Sequence, residues 1–450
     1  MTFTRGRLLC PRIAFLINLL LFVAPAPFRC AGQPVSPAPA AAQATNQPSS
    51  HPTAQAYTLP PDKLAKAIAL GHIRNVLGIG GSLWDLVVLW LLLTTRAAAG
   101  LETWAKRLSS RRWLQGVIFF AAFLIILALA DLPLDLYGHH VSLSYGISVE
   151  GWGPWLVDMT KSLALTLCIG APVLLLFNWI VRRWPRRYWL VCWMTAVPLI
   201  VLSTFLEPLA EPIFNQYEPL SKNHAALVAD LEKVVARTGT NIPPDRMYLM
   251  KASEKSNGIN AYVSGLGATK RIVVGDAVGG GVPHDEIMFT FAHESGHYVL
   301  HHIPKGLALT TVALFFVFWI CARFAAGLVG RFGTRWRIES ISTRAGFVAL
   351  LFVASIANFL LEPAGNAVSR YIEHQADIYG QEAIHGLVPD PQKTAVAAFN
   401  DLGKAWLDDP NPNPYIDFWL SSHPSMQYRA TFAAHYNPWA NSGHGEFFDK

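Results

Sequence analysis

Charged residues are scarce in this sequence. Asp, Glu, Lys and Arg together make up 15% of the 450 residues, whereas soluble proteins of this size usually carry about a quarter. Hydrophobic residues make up 52%. This combination excludes an ordinary soluble enzyme and predicts a protein that lies in a lipid bilayer.

Cysteine is also rare, and its positions exclude two kinds of site. The five cysteines lie in or beside apolar segments, at Cys10, Cys30, Cys168, Cys192 and Cys321. Neither a zinc-thiolate site nor a disulfide framework is expected there, so any metal must be held by His and carboxylates. The net charge of +6 comes from basic clusters beside apolar runs, which indicates membrane topology signals and no nucleic-acid partner.

Long apolar runs are what the sequence has in place of charge. Six runs of about the ~20 residues that cross a hydrocarbon core predict transmembrane helices. They lie at 82–98, 114–134, 161–181, 188–207, 306–328 and 344–361. Residues 1–30 combine a basic start with a short apolar run and predict a signal peptide or a first membrane anchor. Residues 31–60 are rich in Pro and Ala and predict a flexible linker.

Basic residues fall in alternate loops, which predicts the orientation of the chain. Lys and Arg cluster within 96–112, 182–187 and 331–344, whereas 135–160 contains neither. Cytoplasmic loops carry the excess of Lys and Arg, so the other polar regions should face the exported side. The predicted organisation is a membrane domain with four helices (61–207), a polar region (208–305), a transmembrane helical pair (306–361) and a second polar region (362–450).

The first polar region contains a metal-binding pattern. His293 and His297 stand four residues apart in a predicted helix over 282–302, so both imidazoles lie on one helical face and can share a zinc ion. Zinc with three protein ligands keeps an open position for a water whose pKa falls to about 7. Glu294 can take a proton from that water. The segments "AYVSGL" and "RIVVGDAV" just upstream predict a β-hairpin.

A third ligand is expected from the second polar region. Glu373 and Asp377 again stand four residues apart on a predicted helix. We assign Glu373 to the zinc and Asp377 to an imidazole N–H of a ligating histidine. His301 is expected to be a neighbour of the site, and His302 and His374 to be surface or polar-contact residues.

These motifs resemble those of the M48 peptidases, and among them the integral-membrane CAAX prenyl protease 1 type. The resemblance rests on "INAYVSGLG", "FAHESGH", "NAVSRYIEHQAD" and "SSHPSMQYR", in the order of the family. It implies a mostly α-helical, polytopic membrane protein in which six to seven transmembrane helices surround an interior chamber. It also implies a gluzincin-like zinc protease domain that contains a small β-hairpin or sheet.

The resemblance also implies roles for individual residues. Glu373 would be the third zinc ligand, His423 would stabilise the oxyanion of the tetrahedral intermediate, and Arg429 would form a structural salt bridge. An extended substrate would pair with an edge strand. The residues expected to bind that substrate are Asn260, Ala261, Tyr262, Val263, Ser264 and Gly265.

The sequence therefore predicts a zinc metalloendopeptidase with one zinc ion and Glu294 as general base. Its substrate would be an extended, membrane-associated polypeptide on the exported side of the cytoplasmic membrane. Two alternatives stay open: C-terminal processing of prenylated CAAX proteins, and a catalytically inactive membrane scaffold with structural zinc. Structural zinc sites usually have four protein ligands, and Glu294 has no structural duty in them.

Overall fold

The computed structural model describes residues 56–265, 267–276, 281–440 and 443–449. The predicted signal peptide or anchor (1–30) and almost all of the predicted linker (31–60) lie outside the described residues. The described part is mostly helical, with one small sheet in the polar region.

Five long apolar helices confirm five of the six predicted crossings. They are α1 (Pro61–Thr94), α3 (Arg112–Ser144), α4 (Trp152–Arg183), α8 (His302–Trp336) and α9 (Arg344–Ala383). A short helix, α2 (Ala97–Leu108), joins α1 to α3. The sixth run forms α5 (Tyr188–Ala210), but its apolar part, Tyr188–Ser203, is shorter than the ~20 residues of a full crossing.

Helix α9 connects the membrane part to the polar part without a break. The Thr343 side chain caps its first turn by accepting a hydrogen bond from the Gly346 backbone N–H. Forty residues at 1.5 Å each give a helix about 60 Å long, twice the thickness of a hydrocarbon core. The predicted domain boundary after residue 361 falls inside this helix. Glu373 and Asp377 therefore lie on the continuation of a membrane helix, beyond Pro363.

A buried ion pair fixes the start of α9 against α2. The Arg344 guanidinium lies 3.7 Å from the Glu102 carboxylate, which also accepts the Ala345 backbone N–H at 3.0 Å. Both side chains of the pair are buried, where an unpaired charge is unfavourable. Each charge therefore compensates the other. One turn further along α9, the Phe347 ring packs 5.1 Å from the Phe177 ring of α4.

The polar region contains a mixed four-stranded sheet and the helices that cover it. The strands are β1 (Tyr217–Pro219), β2 (Met247–Met250), β3 (Ala261–Ser264) and β4 (Arg271–Gly275), in the order β1-β2-β4-β3. Strands β3 and β4 pair antiparallel, which confirms the predicted hairpin, and β3 forms an edge of the sheet. Strands β1 and β2 are additions to the prediction, since strands of three or four residues carry too little alternation to detect.

Five further helices and half of α9 complete the described part of the polar region. They are α6 (Ala225–Thr238), α7 (His284–Val299), α10 (Pro391–Trp406), α11 (Pro414–Leu420) and α12 (Met426–His435), together with the polar half of α9. Leu227, Leu231 and Val234 bury the apolar face of α6, as its spacing predicts. Phe289 of α7 packs edge to face on Phe399 of α10 at 5.3 Å. This core holds α7 between the sheet and α9.

Candidate active site

Two glycines let α7 and α9 approach closely enough for their polar side chains to meet. A Cβ on Gly380 of α9 would lie 2.9 Å from the backbone nitrogen of His293, and a Cβ on Gly296 would lie 3.0 Å from the Tyr379 ring. A Cβ on Gly380 would clash with backbone that cannot easily move, and one on Gly296 would need the Tyr379 ring to shift by a few tenths of an ångström. Glu373 is thereby placed opposite the histidines of α7.

The three predicted metal ligands lie together. The Nε2 atoms of His293 and His297 are 3.3 Å apart, and carboxylate oxygens of Glu373 lie 3.4 Å and 3.7 Å from them. Ligand atoms at 2.0–2.2 Å from a tetrahedral zinc ion stand about 3.4 Å apart. These residues therefore fit one zinc ion, and one carboxylate with two imidazoles is a donor set that zinc accepts.

Asp377 lies where it can orient the first ligand. Its Oδ1 atom is 2.9 Å from Nδ1 of His293, so the carboxylate lies beside that ring nitrogen while Nε2 faces the other candidate ligands. Arg429 of α12 binds the same carboxylate through two hydrogen bonds, one of them Nε to Oδ2 at 2.8 Å. Burial disfavours the guanidinium charge, but the Asp377 carboxylate outweighs it and raises the pKa of Arg429.

The second ligand has a partner that the sequence did not indicate. Nδ1 of His302 lies 3.3 Å from Nδ1 of His297, and Nε2 of His302 lies 3.2 Å from the Gln375 side-chain oxygen. If His297 uses Nε2 for metal, its Nδ1–H donates to His302, and His302 donates its own Nε2–H to Gln375. Both histidines must be neutral for this, and burial lowers the pKa of His297 well below its ordinary value.

The backbone explains why helical spacing misranked these histidines. His301 adopts a left-handed conformation (φ 56°) between α7 and α8, is exposed, and turns the chain so that the fully buried His302 faces His297. His302, expected to be a surface or polar-contact residue, thus makes a buried polar contact with His297, whereas His301, expected beside the site, is exposed. Periodicity assumes an unbroken helix, whereas Pro304, three residues after His301, is a local signal of the break.

Glu294 and His423 complete the cluster. Glu294 follows His293 on α7 and is 5% exposed. His423 enters from the loop before α12, and its Nε2 lies 3.3 Å from the Glu373 carboxylate. The Ser422 hydroxyl lies 2.9 Å from Nδ1 of His423 and can donate to it, which leaves the hydrogen on Nε2. The site therefore holds a second buried carboxylate and an imidazole beside the three candidate ligands.

Edge strand β3 offers only some of its backbone to a substrate. The Gly275 N–H donates to the Asn260 carbonyl at 2.7 Å, and in an antiparallel ladder the hydrogen-bonded pairs alternate. The register therefore turns the main chains of Tyr262 and Ser264 toward β4, and those of Ala261 and Val263 toward the open edge.

The surroundings of β3 show how it lies relative to α7. The Tyr298 hydroxyl at the end of α7 donates to the Gly265 carbonyl at 3.0 Å, just past the end of β3. The Tyr262 side chain points away into a buried network, where its hydroxyl lies 3.3 Å from the Glu211 carboxylate. Of the six predicted substrate-binding residues, Ala261 and Val263 thus have the outward main-chain groups, and the Val263 carbonyl lies 3.4 Å from the Tyr298 hydroxyl.

Comparisons with known proteins agree with this arrangement. Residues 42–216 match the family described as CAAX prenyl protease N-terminal, five membrane helices, and residues 221–436 match peptidase family M48. An uncharacterized metalloprotease, YhfN, from Bacillus subtilis is 31% identical over 83% of this chain and 86% of its own length. CAAX prenyl protease 1 of Saccharomyces cerevisiae is 28% identical over 70% of this chain and 71% of its own.

A solved structure shows the same fold. The crystal structure of Ste24p from S. mikatae matches with a TM-score of 0.72 and 23% identity, over 83% of this chain and 89% of that one. These findings confirm the resemblance, the helical membrane fold and the peptidase class that the motifs predicted. The chain therefore belongs to peptidase family M48, as a multi-pass membrane metalloprotease.

Proposed function

We propose that this protein is a zinc metalloendopeptidase that uses Glu294 as its general base. The spacing of the His293, His297 and Glu373 ligand atoms supports this most directly, because it matches tetrahedral zinc next to a buried carboxylate. Bound zinc would supply a Lewis acid that polarises the peptide carbonyl and lowers the pKa of water.

The residues of the chain supply the proton transfers and the positioning. Glu294 accepts a proton from the attacking water and returns it to the leaving amine. His423 donates from Nε2 to the oxygen that becomes negative. The substrate lies extended along β3, where the main chains of Ala261 and Val263 pair with it as an added strand.

Cleavage assays with purified protein test this proposal. Detergent-purified protein is incubated with a mixed peptide library, and the products and the bound zinc are measured together. The same C-terminal peptide, with and without a prenylated cysteine, is included because similar proteins carry the name CAAX prenyl protease 1. Cleavage of both forms at equal kcat/KM favours a general endopeptidase. Cleavage of the prenylated form alone favours CAAX processing.

The exported side of the membrane is the proposed location of the protease domain, because the basic loops mark the cytoplasmic side. We expect a membrane-impermeant maleimide to label Glu232→Cys in right-side-out vesicles, and Arg186→Cys only after lysis. Both positions are exposed, in α6 and in the basic loop between α4 and α5. Both variants are made in a background whose native cysteines are replaced by serine. The opposite labelling pattern would place the domain in the cytoplasm.

His302 is expected to strengthen metal binding without contacting the metal. Replacing His302 with Ala removes the acceptor for the Nδ1–H of His297, so we expect zinc affinity to fall 10–100-fold. Affinity is measured by competition with a chromogenic chelator. His301→Ala serves as the matched control, since that neighbouring ring is exposed. If His302→Ala binds zinc with wild-type affinity while the surroundings of the His297 ring are unchanged, the contact of His302 with His297 has no role in metal binding.

A further inference from the structure

A mostly apolar cavity whose lining includes two carboxylates, called here the acidic cavity, lies beside the amino-terminal half of α7. Its volume is about 30 Å³, and its mouth opens to solvent. Glu286 and Thr290 of α7, Ala261 of β3 and Asp401 of α10 contribute to its lining. The metal ligands and the proton-transfer groups do not line it. The cavity therefore calls for a separate explanation.

The cavity lies on the path that a substrate on β3 would follow. Glu286, Thr290 and His293 recur at helical spacing and so share one face of α7. Gly265 lies beside Tyr298 at the end of α7. Ala261, at the start of β3, lines the cavity together with Glu286, near the start of α7. Strand β3 and helix α7 therefore run in the same direction. Seven residues of helix separate Glu286 from His293 by about 10 Å, the length of about three residues of extended chain.

The chemistry of the lining indicates which side chain would fit. Glu286 is 7% exposed, and its Oε2 atom has no hydrogen-bond partner among the described residues. Burial, together with nearby Asp401, raises the pKa of Glu286 to about 7. A buried carboxylate oxygen without a hydrogen-bond donor destabilises the folded protein. A cationic side chain that enters the cavity would supply that donor and a compensating charge.

Lys404 of α10 pairs with Asp401, one of the two acidic residues that line the cavity. Its ammonium lies 3.1 Å from the Asp401 carboxylate, and the two side chains are 42% and 38% exposed. Exposed pairs of this kind are weak, so an arriving substrate cation can displace Lys404. Lys404 is therefore a competitor whose removal should favour the substrate.

We propose that this cavity is a specificity subsite that binds a lysine or arginine side chain of the substrate, about three residues from the cleaved bond. The proposal rests on the proposed peptidase function. A different role would be purely structural, because a carboxylate in the first turn of α7 is favourable toward the helix dipole. That role predicts lower stability in a Glu286 variant but no change in substrate preference.

The test compares peptides that differ only by lysine or norleucine at each position from three before to three after the cleaved bond. For wild type, we expect the kcat/KM ratio of lysine to norleucine to reach about tenfold at one position. In Glu286→Gln this ratio should fall toward one. In Lys404→Ala it should rise about two- to fivefold. Glu232→Gln, the same chemical change on the exposed face of α6, should leave the ratio as in wild type.

Each outcome decides between the possibilities. Equal ratios at every position in wild type would overturn the subsite alone, as would a ratio that Glu286→Gln does not change. If Glu286→Gln does not fold, Lys404→Ala decides, because an unchanged ratio in that surface variant contradicts the proposal. Absence of cleavage of every peptide by wild type would instead overturn the peptidase function and the subsite together.

Discussion

Replacing Glu294 with Gln is expected to abolish peptide cleavage and to leave bound zinc unchanged. Gln has the size of Glu but cannot accept the proton of the attacking water, and general-base catalysis contributes about 10²–10⁴-fold. Because Glu294 is buried next to His293, a carboxylate on the protein surface cannot reach the attacking water in its place. We expect kcat to fall at least ~10³-fold, measured with the best peptide from the library, and the zinc content to stay at one ion per chain.

The comparison with zinc content separates an enzyme from a scaffold. Glu232→Gln is the matched control, because it makes the same change on the exposed face of α6 and should keep full activity. Zinc in both Glu294→Gln and wild type, with cleavage by wild type alone, would identify Glu294 as the base. Equal activity in both would contradict that role. Retained function in the cell without any cleavage would favour the scaffold alternative.

The candidate site was predictable to the extent that its chemistry is local. His293 and His297 share a helical face by spacing alone, as do Glu373 and Asp377, and the structure brings the two pairs together. The role of each residue stays a prediction. The hairpin of β3 and β4 was predictable for the same reason, because alternation and a turn lie within fifteen residues.

Contacts between segments that are far apart in the sequence could not be predicted. The contact of His302 with His297 depends on the left-handed conformation of His301. A single sequence does not show which residues are tolerated at that position, so it does not reveal this conformation. The meeting of α7 with α9 depends on Gly296 and Gly380, whose close approach appears only when both helices are placed. Residues of α7, β3 and α10 line the acidic cavity, and Ala261 and Asp401 of this lining are more than a hundred residues apart in the sequence.

Replacing Arg429 with Met is expected to destabilise the protease domain strongly. The Arg429 guanidinium is fully buried, binds Asp377 through two hydrogen bonds, and lies 4.6 Å from the Phe399 ring. Met fills the space but leaves the Asp377 carboxylate buried without its cation, which costs about 3–5 kcal/mol. We expect the melting temperature of chelator-treated protein in detergent to fall by roughly 10 °C.

Two further variants show whether the charge or the shape of Arg429 causes this loss. Arg429→Lys keeps the charge but cannot form both hydrogen bonds, so its melting temperature should lie between those of wild type and Arg429→Met. Asp377→Asn combined with Arg429→Met removes the uncompensated charge and should recover much of the stability. A double variant no more stable than Arg429→Met would mean that packing on Phe399, and not the ion pair, holds α12 against α9.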